Sequence, residues 1–130
     1  MTKALISVVL AFLTLSGCWQ KNIGLSYYPS GKIRSEATVK NSVLDGLATS
    51  YYESGIKMSE ATYRSGILDG QAFSYYENGS KKSAAGYKNG VLDGKSTSWK
   101  EDGTVLDEVS FVDGRLIPKE KSGAGAATAN

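Results

Sequence analysis

Histidine is absent from the 130 residues, cysteine occurs once and proline twice. The lack of histidine removes the commonest general base and the imidazole ligands of metal centres. A single cysteine excludes an intrachain disulfide and a multi-cysteine metal cage. Neither sign of charge dominates: Lys+Arg is 15, Asp+Glu is 13, and the formal charge is +2. Lys3 is the sole charged residue before Cys18, so a chain beginning at Cys18 carries 14 basic against 13 acidic residues. Such a balance lacks the electrostatic footprint of nucleic-acid binding, which neutralises many phosphates at once. What is abundant is glycine (15) and tyrosine (8), a composition that suits a turn-rich β protein better than a helical one.

Long apolar runs are also missing, apart from one. It extends from Ala4 to about Leu15, behind the positive Lys3. That length falls short of the roughly 20 helical residues needed to cross a bilayer core, and it fits the apolar region of a secretory signal peptide. Leu15-Ser16-Gly17-Cys18 follows and resembles the lipobox of bacterial lipoproteins. The resemblance implies cleavage between Gly17 and Cys18, a diacylglyceryl thioether on the Cys18 thiol and acylation of the new amine. Two or three acyl chains anchor stably where one gives marginal binding. The expectation is a lipid-anchored protein of the cell membrane or outer membrane, on the periplasmic or extracellular side. Trp19 follows the cysteine, and an indole is favoured in the interfacial layer.

From residue 23 onward one period governs the chain. Gly31, Gly55, Gly79 and Gly103 stand 24 apart, and so do Asp45-Gly46, Asp69-Gly70 and Asp93-Gly94. An aromatic series runs Tyr27, Tyr51, Tyr75, Trp99, and a leucine series runs Leu44, Leu68, Leu92, Leu116. Self-similarity on this scale marks a repeat architecture and outranks any isolated motif. In the second copy the strand-like halves are LATSYY (47–52) and IKMSEATY (56–63), joined through Gly55, with RSGILDG as the return. Ser-Gly and Asp-Gly in that return both read as turn signals. The expected fold is all-β: an elongated antiparallel meander of about four 24-residue β-hairpin repeats, eight strands in all. Residues 1–17 form the signal peptide, 18–22 a short tether, 23–117 the repeat domain and 118–130 a disordered tail.

Alternation along the second strand of each copy separates two faces. Positions 59, 61 and 63 and their equivalents are small or aromatic and are expected to face inwards. Glu36, Glu60, Glu108, Thr38 and Thr62 lie between them and are expected to face water. Tyr27, Tyr51, Tyr75 and Trp99 are assigned to the inward face. Tyr28, Tyr52 and Tyr76 would then point the other way, as half-buried cross-strand packing or as a partner-binding row.

The pattern YYESGIKMSEATYRSGILDG, with its echoes over about residues 23–116, resembles the MORN-repeat variant found in bacteria. That family includes proteins classed as YwqK-type antitoxins. The resemblance implies β-hairpins stacked into an elongated sheet that binds proteins or membranes and carries out no chemistry.

Candidate chemistries fail one by one. Gly90 to Ser96 has one residue too few between its glycines for a phosphate loop, and Lys95-Ser96 open a strand where that loop needs a helix N-terminus. Asp45, Asp69 and Asp93 sit one per copy, two strands or about 10 Å apart, so they cannot converge on a calcium ion that needs six to eight oxygens. Glu36, Glu60 and Glu108 form a ladder of similar exposed carboxylates, without the divergent environments of a glycosidase pair. No Ser-x-x-Lys lies in a recognisable catalytic context. The reading is therefore a non-enzymatic protein with no catalytic residue, metal or cofactor. It is tethered through Cys18 and acts as a protein-binding or scaffold module of the bacterial envelope; self-association is another use of its unpartnered surface. An antitoxin or immunity protein, and a cell-wall glycan binder using Tyr28, Tyr52 and Tyr76, are the alternatives.

Overall fold

The computed structural model describes residues 22–118. They form one nine-stranded antiparallel sheet: β1 (Asn22–Tyr27), β2 (Ile33–Lys40), β3 (Val43–Tyr51), β4 (Lys57–Arg64), β5 (Ile67–Tyr75), β6 (Lys81–Lys88), β7 (Val91–Trp99), β8 (Val105–Val112) and β9 (Arg115–Ile117). Spatial order equals chain order, so each strand pairs with its sequence neighbours. The expected meander is thus observed, with one strand more than the eight read from the sequence. The fourth copy turns back once more at Asp113-Gly114 and pairs Leu116 with Phe111. Pro118 follows directly, and a residue without an N–H cannot extend the ladder.

Two kinds of turn alternate. At one end of the sheet Gly55 N–H donates to Tyr52 O, and Tyr52 N–H donates to Ile56 O, both at 2.8 Å. Gly55 has φ +89°, the left-handed residue that closes a type I turn into a hairpin. The same bonds recur around Gly31, Gly79 and Gly103. At the other end two residues suffice. Asn89 and Gly90 have φ of +50° and +80°, Ser65 and Gly66 +49° and +81°. Positive φ at both central residues defines the type I′ hairpin, whose twist matches that of the strands.

The repeated pairs Asp45-Gly46, Asp69-Gly70 and Asp93-Gly94 are not turns; each lies inside a strand. Asp45-Gly46 lies inside β3, and the register against β2 passes from Ala37↔Ala48 to Val39↔Leu44. Three residues of β3 therefore oppose Thr38 alone. Gly46 and Gly70 take φ of +128° and +131° at these bulges, conformations open to glycine at little cost. On its other edge the same strand pairs regularly, Gly46 with Tyr63 and Leu47 with Thr62. The bulge is thus absorbed on one side while the ladder continues on the other.

A second irregularity overturns the expected face assignment. Ser50 pairs with Ser59 but Tyr51 with Lys57, leaving Met58 as an extra residue. A hairpin without that bulge would put Tyr51 on the side of Ser59, as the sequence suggested. With it, Tyr51 joins Thr49 and Glu60, and the same shift occurs at Tyr27, Tyr75 and Trp99. One face carries these aromatics with the glutamates and threonines, hereafter the tyrosine face. The other carries the serines and alanines, hereafter the serine face.

A one-layer sheet has no interior. Among the described residues no apolar side chain is buried, whereas Thr49 and Thr97 are only 4% and 8% exposed. Both threonines lie on the tyrosine face, opposite glutamates that the sequence had assigned to water. Their burial comes from neighbours on the same face: Glu36 and Glu60 stand opposite Thr49 on the flanking strands.

Candidate interaction faces

The tyrosine face is laced together by its own long side chains. Tyr51 hydroxyl donates to Glu36 Oε1 at 2.5 Å, linking β3 to β2. One repeat on, Tyr75 hydroxyl reaches Glu60 Oε1 at 3.4 Å. Glu60 also receives Lys57 Nζ at 2.6 Å, and the same ammonium lies 5.9 Å from the Tyr75 ring centre. Lys81 Nζ sits 5.7 Å from the Phe73 ring centre, and Lys95 pairs with Glu108 at 2.7 Å. The electrostatics follow the contacts. The bond to the Glu36 carboxylate, then burial, raises the Tyr51 pKa; burial, then the Glu60 charge, raises that of Tyr75. The Glu60 bond raises Lys57. In chemical terms phenols are held protonated and an ammonium is held charged.

The serine face is different. Ser26, Ser35, Ser50, Ser59, Ser74, Ser83 and Ser98 pair strand to strand across the sheet. Within hairpins their hydroxyls bond one another, at 2.6 Å for Ser26–Ser35 and 2.5 Å for Ser50–Ser59. A parallel row of alanines runs through Ala37, Ala48, Ala61, Ala72 and Ala85. With so little side-chain bulk the surface dips. An open depression of about 340 Å³ is lined by Ala37, Leu44, Ala48, Ser50, Ser59, Ala61 and Tyr63, among others.

Tyr28, Tyr52 and Tyr76 occupy the turn ends. Their hydroxyls donate to the carbonyls of Tyr51, Tyr75 and Trp99 in the next repeat, at 2.6, 2.8 and 2.9 Å. All three are half-buried. Asp69 lies 3.8 Å from Arg64, and Asp93 accepts the Asp113 N–H at 3.2 Å; each belongs to local chain geometry. Cys18 and Gly17, the lipid-attachment and cleavage positions expected from the sequence, lie outside the described residues.

Sequence reasoning missed the Glu36–Tyr51 and Lys57–Glu60–Tyr75 groups. A signal for them existed. Serine recurs at positions nine apart, 26/35, 50/59 and 74/83, and matching those serines requires the extra residue that brings the tyrosines to the glutamates.

The sequence profile described as MORN repeat variant matches residues 22–41, 44–65 and 68–89. Residues 22–89 are MORN-variant repeats. No curated protein and no solved structure matches the chain. The three matched segments take in the hairpins β1–β2, β3–β4 and β5–β6. The β7–β8 hairpin lies beyond them, with Trp99-Lys100 in place of the tyrosine pair and Asp107 in place of a serine. It nonetheless keeps the MORN hairpin's turn, Gly103 N–H to Lys100 O at 2.9 Å. Repeats of this kind make a binding module whose surface is laid down one hairpin at a time.

Proposed function

We propose that this MORN-repeat protein is a non-catalytic module of the bacterial envelope, held by lipid on Cys18, which receives a protein partner on its serine face. The observation that carries the reading is the open depression over Ala48 and Ala61. On the opposite face the carboxylates and phenols already engage one another, so a partner there would have to displace Tyr51–Glu36 and Lys57–Glu60 contacts. On the serine face a partner finds small side chains beside an aromatic and a leucine, a surface that can be filled by a projecting side chain without displacing anything. The anchor agrees with this use. Three residues, Trp19 to Lys21, separate Cys18 from β1 and span at most about 11 Å, which keeps the sheet beside the membrane.

The test combines fractionation with cross-linking in cells. The Cys18→Ala chain is expected in the soluble fraction. A cross-linked protein partner recovered with the wild type should be lost in Ala61→Arg, which fills the depression, and kept in Leu47→Arg on the tyrosine face. Recovery of that partner by Ala61→Arg would refute the face assignment, and membrane retention of Cys18→Ala would refute the anchor.

A further inference from the structure

Among the described residues β1 and β9 are the two outer strands of the sheet, and they are built differently. β9 has three residues, begins with Arg115 and is followed by Pro118. A short strand, a charge and a proline are the usual protections of an edge against further pairing. β1 has six residues, NIGLSY, with no charge and no proline, and every residue is exposed.

The hydrogen-bonding direction of β1 can be read from the turn that follows it. Tyr28 N–H donates to Lys32 O and Tyr28 O accepts from Gly31 N–H, so both backbone groups of Tyr28 point towards β2. Alternation in an antiparallel ladder then turns the N–H and C=O of Ile23, Leu25 and Tyr27 outward. These three residues also carry the apolar side chains, at 66%, 43% and 52% exposure. All three lie on the tyrosine face, Leu25 directly opposite Glu36. The outward backbone groups, unpaired among the described residues, and the exposed apolar side chains therefore belong to the same residues.

We propose that β1 pairs with β1 of a second copy, antiparallel, about a two-fold axis through Leu25. In that register Leu25 faces Leu25 of the second copy, and Ile23 faces Tyr27 of the second copy, so every outward backbone group of the strand finds a partner. Apolar side chains meet apolar ones, and Gly24 meets Ser26 on the serine face without crowding. An axis through Gly24 instead sets Tyr27 opposite position 21, outside β1. Two nine-stranded sheets become one continuous sheet. The contact is isologous and closes on itself, and the protected β9 edges at both ends stop further growth. The pairing leaves the serine-face depression free, so it does not depend on the reading of that face.

The experiment uses the full chain in mild detergent. Sedimentation equilibrium should give twice the chain mass for the wild type in the micromolar range. Leu25→Lys should give the single-chain mass with the β-sheet circular dichroism of the wild type, at least a tenfold loss of dimer affinity. Under oxidation Leu25→Cys should form a cross-linked dimer beyond the Cys18 background seen in the wild type, and Ile117→Cys on β9 should not. A wild type of single-chain mass overturns the proposal, as does a dimer retained by folded Leu25→Lys. If Leu25→Lys fails to fold, the cysteine pair decides: cross-linking through Ile117 equal to or greater than through Leu25 overturns it.

Discussion

The carbonyl oxygen of Asp93 lies 2.3 Å from where a β-carbon on Gly86 would stand. The equivalent positions in the other copies are Thr38, Thr62 and Ser110, so the third copy has a local path of its own. Its bulge glycine, Gly94, has φ +96°, against +128° and +131° for Gly46 and Gly70. The contact is with backbone, which cannot swing aside. Gly86→Ala should therefore destabilise the sheet by about 1–3 kcal/mol, as overpacking does. Gly24→Ala, whose nearest atoms would be 3.6 and 3.9 Å away, should stay within about 0.5 kcal/mol. Urea denaturation of the two variants checks the pair.

The first of the two-residue turns departs from the glycine rule. Ser42, with φ +64°, stands where Gly66, Gly90 and Gly114 stand in the later copies. A side chain in the left-handed region costs about 1–2 kcal/mol, offset in part by the extra freedom glycine gives the unfolded chain. Ser42→Gly should stabilise by about 0.5–1 kcal/mol. Thermal melting should move upward by a few degrees.

Tyr52 hydroxyl bonds the carbonyl of Tyr75 at 2.8 Å, a link between consecutive repeats. Tyr52→Phe removes the hydroxyl and keeps the ring, and should cost about 1 kcal/mol. Tyr52→Ala removes both and should cost more. If phenylalanine proves neutral, the ring rather than the bond joins the hairpins at this turn; a set of urea curves separates the two.

Alkaline titration probes the tyrosine face. Tyr51 and Tyr75 have folded-state pKa values raised above the ordinary value of about 10. A raised value means that the folded state holds the proton more tightly than the unfolded one. The contribution to stability is full below about pH 10 and is lost as pH rises through the folded value. Absorbance titration should show late-ionising tyrosines in the wild type, and Glu36→Gln should bring the Tyr51 ionisation back towards the ordinary range.

How much of this was legible in the sequence depends on the residue. The 24-residue period, the hairpins and the glycine turns at 31, 55, 79 and 103 could be read, because each rests on local backbone chemistry. The two bulges could not be read from alternation, because one extra residue reverses every assignment beyond it. Met58 is such a residue, and it moved Tyr51 from the side of Ser59 to that of Glu60. Asp45-Gly46 read as a turn because the pair is a common turn dipeptide; the glycine's positive φ was the true signal, spent inside a strand. The division into an inner and an outer face failed for a different reason. In one layer both faces meet solvent, and burial is set by the bulk of neighbouring side chains, which is why Thr49 is more covered than Ala61.

Among the described residues each strand is hydrogen-bonded only to the strands before and after it in the chain. A duplicated copy would thus enter without disturbing any other, adding two strands, or about 10 Å, to the width of the sheet. The reach of such a protein along a surface is a matter of counting copies, and selection can set it in even steps, as one sets a ruler.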